Sequence, residues 1–223
     1  MKRKALVSVA ALVLLLAGGV GTLALLKRLS FFAVRRVELA GARFLSVAEV
    51  ARALALRPRA SVFDPTAPLT ARVTRLDGVL EARVVRRLPG TLRVVVREAE
   101  PVALAERGGR LVLLDAGGKA LPFDPTRAPV DLPLAEADSG VAGVLARVRE
   151  SDPELFGRVQ RGARFRQDVA LDVEAGRILF RAGASSDEIR DLSLVAEVLA
   201  RQGTSWKELD ARFPPRVIVR KGA

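Results

Sequence analysis

The chain has 223 residues, half of them apolar, with 37 Lys and Arg against 25 Asp and Glu and no cysteine or histidine. That length accommodates one membrane segment and one or two small domains. The missing side chains exclude disulfides, thiolate metal sites, the usual zinc sites and His-dependent nucleophilic catalysis.

The net charge is +12. Setting aside Lys2, Arg3, Lys4, Lys27 and Arg28, which flank the first apolar run, leaves +7 over residues 29–223. Arginine far outnumbers lysine, as GC-rich coding favours. A solvated basic surface therefore explains the charge better than a nucleic-acid footprint.

Residues 5–26, ALVSVAALVLLLAGGVGTLALL, are 22 positions without a charge. As a helix they would measure ~33 Å, the thickness of a hydrocarbon core. The rival reading is a cleaved signal peptide with its apolar core at 5–17. The apolar run resumes at residues 23–26, which favours an uncleaved anchor. Basic residues lie on both sides, so the positive-inside count does not orient it. The four-residue tail before a long folded region is the layout of a signal anchor with its N-terminus inside. Gly18 and Thr22 form a small-xxx-small pair suited to helix–helix approach.

After the anchor, FFAVRRVELAG alternates around Val34, Val37 and Leu39 and predicts a strand ending at Gly41. Ser46 and Glu49 form a capping box, with Leu45 and Val50 as its staple. Val47, Val50, Ala51 and Leu54 are expected on one apolar helix face. A second helix carries Leu69, Val73 and Leu76. Asp64 is its expected cap, with Pro65 first, Pro68 still in the first turn and Asp77-Gly78 at the stop. VLEARVVRRLPGTLRVVVRE then predicts two strands about Pro89-Gly90. Ala82, Val84 and Arg86 share one face, and Leu92, Val94 and Val96 share another.

From Pro101 the pattern changes to a meander with turns at Gly108-Gly109 and at Ala116-Gly117-Gly118. The glycines beside Lys119 do not form a phosphate loop, because Leu113 and Ala120 stand where such a loop needs Gly and Ser or Thr. Residues 122–140 read as loop and 140–150 as a short helix. Ser151 and Glu154 are the expected cap partners of a further turn. Strands follow at 159–165, 169–173 and 177–181, the first with one wet and one packed face. Ser185 and Glu188 open a long helix lined by Ile189, Leu192, Val195, Ala196 and Leu199. Two last strands, 206–213 and 216–220, close the chain. Trp206, the sole tryptophan, is expected in the core.

The fold class is therefore α+β. It comprises a single N-terminal transmembrane helix, a β-α-α-β-β domain and a β-rich domain with a long helix before the last two strands. The boundaries fall at 1–4 for the tail, 5–28 for the anchor, 31–98 for the first domain and 99–223 for the second. The 31–98 order is the layout of a POTRA module, with two helices on one face of a three-stranded sheet.

Short motifs in this order resemble the FtsQ/DivIB family of bitopic bacterial cell-division proteins, over nearly the whole chain. Val84, Arg86 and Pro89 fit its V-x-R-x-x-P. Glu98, Pro101, Val102 and Ala103 fit E-R-x-P-V-A, with Ala99 where Arg is usual. Asp115 and Gly118 fit D-x-x-G, Leu132-Pro133 a later L-P, and Asp210, Arg212 and Phe213 a terminal D-x-R-[YF]. The resemblance implies a non-catalytic scaffold, without cofactor or metal. It implies one membrane pass in the inner membrane, the N-terminus cytoplasmic and the bulk periplasmic, at the division septum. Its implied partners are small coiled-coil membrane proteins of the FtsB and FtsL type, with other division proteins on the POTRA domain. FtsB would add a strand to the C-terminal edge, at Arg212, Phe213, Val217, Ile218 and Val219. Arg216, Arg220 and Lys221 would discourage self-pairing and favour an acidic partner. Pro214 and Pro215 interrupt that edge after Phe213, where a ladder donor is lost. An edge kept harmless by charge, with nothing docked, is the alternative. Two other functions stand beside this one. They are a chaperone-like POTRA factor in polypeptide transport and an anchored enzyme using Asp115 or Asp172.

Overall fold

The computed structural model of the chain describes Leu26, residues 29–128 and residues 132–222. The expected anchor, apart from Leu26, lies outside the described residues. Among the described residues, no helix is long and apolar enough to cross a membrane. The chain forms two compact units that meet between Glu98 and Ala99.

The first unit runs β1 (Arg36–Ala40), α1 (Val47–Leu54), α2 (Ala67–Thr74), β2 (Val79–Arg87) and β3 (Thr91–Glu98), the expected β-α-α-β-β order. The sheet order is β1-β3-β2, with β1 parallel and β2 antiparallel to β3. Alternation along the central strand turns Leu92, Val94 and Val96 toward the helices, where they pack on Val50, Leu54, Leu69 and Val73.

Both hydrogen bonds of the Ser46–Glu49 capping box form, and Leu45 packs against the core that holds Val50. The apolar face of α1 is narrower than expected. Val50 and Leu54 are buried, whereas Val47 and Ala51 are exposed. In a helix of two turns only one i, i+4 pair can point squarely at the sheet. Asp64 does not cap α2. Its carboxylate accepts from Ser61 N at 3.0 Å and so closes a tight turn, and the helix starts after Thr66. Arg86 ties β2 to that turn, donating to Val62 O at 2.8 Å and to Asp64 O at 3.1 Å.

Glu98 closes the unit. Its carboxylate is buried and accepts from the backbone N–H groups of Arg43, Phe44 and Leu45 at 2.8, 2.9 and 2.8 Å. The loop it holds begins at Gly41, whose φ is +79° and where a Cβ would sit 2.3 Å from Val96 O. Only glycine fits there.

The second unit begins with β4 (Ala103–Arg107), β5 (Arg110–Leu114), β6 (Ala120–Leu121) and β7 (Leu134–Ala135). It continues through α3 (Ser139–Ser151), α4 (Pro153–Arg158), β8 (Val159–Phe165), β9 (Asp168–Val173), β10 (Gly176–Arg181) and α5 (Ser186–Arg201). It ends with β11 (Trp206–Phe213) and β12 (Arg216–Lys221). The strands form one nine-stranded sheet in the order β12-β11-β10-β9-β8-β7-β4-β5-β6. Within the stretch expected to be loop, β7 forms and Asp138 caps α3, accepting from Gly140 N and Val141 N at 2.8 and 3.0 Å. Val141 and Leu145 of α3 crowd the Cβ position of Gly162 on β8, so the helices lie on the sheet face that carries Gly162 and Leu171. The cap of α4 is Asp152, not Ser151 with Glu154. Ser151 is still the last residue of α3, and Asp152, directly before Pro153, accepts from Leu155 N at 2.8 Å.

The Ser185–Glu188 capping box of α5 forms as expected, and Ile189 and Leu192 are buried. Val195, Ala196 and Leu199 are only half-buried. Replacing Ser185 with Ala is expected to cost about 1 kcal/mol. Thermal unfolding of the full chain followed by circular dichroism checks this, with Tm falling by a few degrees. Trp206 is half-exposed, not in the core. As the first residue of β11 it lines an open cleft with Leu155, Ile178 and Leu194.

Candidate functional site

Among the described strands, β12 is the last of the sheet and pairs only with β11. Its other side presents unpaired N–H and C=O groups, the template on which another strand can be added. The strand follows a two-residue turn, Pro214-Pro215, with Phe213 opposite Arg216. Register shifts interrupt the β11–β12 ladder between Trp206 and Glu208 and between Asp210 and Phe213.

Residues directly opposite in a ladder project to the same face. Val219 lies opposite the buried Leu209, so Val217 and Val219 share the helix-covered face and are half-buried. Ile218 lies opposite Asp210 on the other face, where Phe213 and Ile218 are 54% and 46% exposed. The five residues expected at the edge are thus split. Phe213 and Ile218 form an exposed apolar pair on one face, and Val217 and Val219 turn away from it.

Arg212 is committed within the molecule. It donates through Nε and Nη2 to the two oxygens of Asp210 at 2.8 and 2.7 Å, and through Nη1 to Asp168 at 3.1 Å. Its guanidinium carbon lies 5.6 Å from the Phe165 ring centre and 5.5 Å from that of Phe213. Asp210 is 2% exposed, and the hydrogen bonds from the Arg212 side chain hold its carboxyl below the usual range against the opposing effect of burial. The same bond to Asp210 raises Arg212 further, so the pair is permanently charged near neutrality. Arg212 therefore props the Phe213 ring and joins β11 to the β8–β9 hairpin. Sequence reading missed Asp168 and Phe165. The one available signal was Phe165 on the alternating 159–165 strand.

A second pattern appears only in the register. Arg161, Asp172, Arg177, Glu208 and Arg220 stand directly opposite one another across β8, β9, β10, β11 and β12. The charges alternate, and the last, at the open edge, is positive. Arg177 Nε is 2.7 Å from Asp172 Oδ1, and this bond raises the arginine. Arg220 Nη1 is 3.3 Å from Glu208 Oε1, but without hydrogen-bond alignment, so that buried oxygen accepts no hydrogen bond. Opposite charges across a ladder stabilise it and like charges destabilise it. A strand added beyond β12 continues the row best with a carboxylate facing Arg220.

The carboxylates considered for catalysis have structural roles. Asp115 Oδ1 accepts from Gly117 N and Lys119 N at 2.9 Å each, closing the β5–β6 turn, and Asp172 pairs with Arg177. Among the described residues, no group of three acidic side chains is placed to hold a metal ion.

Residues 32–99 match the POTRA domain, FtsQ-type. The chain is 33% identical over 213 residues to the cell division protein FtsQ of Rhodothermus marinus, covering 84% of this chain and 77% of that protein. It is 29% identical over 228 residues to FtsQ of Streptomyces venezuelae, covering 95% of this chain and 83% of that protein. The major extracytoplasmic domain of the cell division protein DivIB from Geobacillus stearothermophilus, in its trans isomer, overlaps 47% of this chain and 96% of that one. The TM-score of that overlap is 0.34 at 16% identity. The sequence relatives favour division over polypeptide transport.

Proposed function

From the premise that the chain belongs to the FtsQ family of cell-division proteins, we propose that its C-terminal edge strand is where a small coiled-coil partner of the FtsB type, itself paired with an FtsL-type chain, joins the molecule. Members of this family act as non-catalytic scaffolds of the division machinery, and this chain is one of them. In the proposed arrangement residues 5–26 anchor it in the inner membrane by a single pass. The N-terminus is cytoplasmic, the two units are periplasmic, and the protein works at the septum to recruit or regulate septal peptidoglycan synthesis.

The observation that carries the docking reading is the position of β12 at the end of the sheet with Phe213 and Ile218 exposed beside it. Main-chain bonds to the edge supply affinity, and alternate side chains supply selectivity. Within that scheme Phe213 and Ile218 are contact residues. Val217 and Val219 keep the strand seated on its own core, and Arg212 positions Phe213. Arg220 selects a partner residue of opposite charge. Two copies of β12 paired antiparallel about Ile218 would set Arg216 against Arg220, which opposes self-association.

The test is a binding titration of the full chain in detergent with the extracytoplasmic segment of the FtsB-type partner from the same cell. Arg220→Glu is expected to weaken binding by about ten-fold, from one attractive pair turned repulsive. An acid-to-lysine change at the facing partner position is expected to restore it. Unchanged affinity in Arg220→Glu together with unchanged affinity in Ile218→Asp, in variants with native Trp206 fluorescence, would remove the edge from the interface.

A further inference from the structure

We propose that the uncovered face of the β1–β3–β2 sheet in the first unit rests on the anionic headgroups of the bilayer from which the chain emerges. The proposal rests on the anchor reading of residues 5–26.

The face is defined by register. Residues that alternate with the buried Leu92, Val94 and Val96 project away from the helices. Across the three strands they form rows: Arg36, Thr91 and Arg87; Glu38, Arg93 and Val85; Ala40, Val95 and Arg83; then Arg97 with Glu81. Five arginines thus share one face with two glutamates. One of those arginines is neutralised, since Arg97 Nη2 lies 2.5 Å from Glu81 Oε1. Arg36, Arg83, Arg87 and Arg93 make no ion pair with any described residue. Glu38, directly opposite Arg93, offsets one of these four charges, and the remaining excess of positive charge repels itself, a repulsion that an anionic surface relieves.

The centre of the face suits a headgroup layer better than bulk water. Val85 and Val95 are exposed between the arginines. Arginine stems lie along such apolar ground while their heads reach phosphate, and the guanidinium fork matches phosphate oxygens in pairs.

The place of the face along the chain supplies the partner. Residues 27–35 separate β1 from the end of the apolar run, a reach of at most about 32 Å even when extended. The chain arrives at the β2–β3 turn: Arg35 N and Arg36 N both donate to Gly90 O, at 2.8 and 3.2 Å. That end of the sheet carries the Arg36–Thr91–Arg87 row, and exposed Leu88, Phe31 and Leu29 lie on the turn and the arriving segment. Aromatic and aliphatic side chains beside arginines are the composition of a membrane interface.

The absence of cysteine makes the test clean. A single Val95→Cys on the face, or Ala51→Cys on the exposed side of α1, is labelled with a fluorophore in the full chain. The chain is then placed in nanodiscs carrying a headgroup nitroxide quencher. With phosphatidylglycerol present, the probe at 95 is expected to be quenched and the probe at 51 not. Phosphatidylcholine alone, high salt, or combined Arg36→Gln, Arg83→Gln, Arg87→Gln and Arg93→Gln is expected to relieve the quenching. Contact should weaken by about five-fold for each arginine removed. Equal quenching at both positions, or quenching indifferent to lipid charge, overturns the proposal. If the chain is stripped from the bilayer by alkaline carbonate, the anchor reading fails on its own. The face is then judged by flotation of the same full chain with phosphatidylglycerol vesicles. Loss of flotation in the four-arginine variant supports the proposal, and unchanged flotation overturns it.

Discussion

Replacing Glu98 with alanine is expected to destabilise the first unit by about 3–5 kcal/mol, enough to unfold much of it. The carboxylate accepts three backbone N–H groups, those of Arg43, Phe44 and Leu45, in a site where Glu98 itself is 8% exposed. A hydrogen bond to a charged group contributes about 1.5–3 kcal/mol net, and donors left buried without an acceptor cost a similar amount each. Water entering the cavity recovers part of this, which sets the upper end of the range. Glu98→Gln keeps one oxygen and loses the charge, so its cost should be about half. Amide hydrogen exchange at residues 43–45 checks the mechanism directly, because protection there should fall before protection in β3. A change of less than about 1 kcal/mol in Glu98→Ala would mean that the loop is held by Gly41 and the Leu45–Val50 contact alone.

Arg212→Ala is the second large effect, at about 3–5 kcal/mol, because it leaves Asp210 buried without its counter-charge. Asp210→Ala should cost less, since Arg212 keeps Asp168 at 3.1 Å and its place beside the rings of Phe165 and Phe213. Arg212→Lys should not rescue, because a single ammonium cannot bond both oxygens of Asp210 and also reach Asp168. Trp206 is the only tryptophan and begins the same strand, so its fluorescence during denaturant unfolding reads the hairpin without a label. The pH dependence follows from the lowered Asp210 carboxyl. A carboxyl held below its unfolded value, about 3.9, contributes stability that is complete above that value. The contribution is lost as pH falls through the folded value. The native chain should therefore lose stability on acidification below about pH 4, and Asp210→Ala should lose less over the same range. Parallel acid profiles for the two would show that other carboxylates govern acid unfolding.

These two sites show what a linear reading can and cannot see. Both capping boxes, the hairpin turns and the alternation of the strands were legible because their partners lie within four residues. Asp64 and Ser151 were misread for the same reason. Each has the spacing of a cap, but tertiary closure of the 61–64 turn claims Asp64, and Asp152 stands nearer to the helix that Ser151 was expected to open. Glu98 was visible as part of a motif, but not as the anchor of a loop more than fifty residues upstream, because no local pattern links a strand's last carboxylate to three distant amides. Arg212 looked like a partner-facing charge beside an exposed aromatic residue. One of its two carboxylates, Asp168, lies 44 positions away. The charge row from Arg161 to Arg220 has no sequence period at all, since it exists only once five strands are in register.

The sheet of the second unit is lopsided. Its one end, β12, is six residues long, and the other, β6, is two. A two-residue margin offers too few main-chain groups to hold a visiting strand. Growth in that direction is disfavoured, so under the proposed docking at β12 one strand is added per second unit. In that scheme the second unit is monovalent, so saturation at its edge should come at one partner strand per chain. In an assembly counted out across a closing septum, that property would let the number of scaffold molecules set the number of partners.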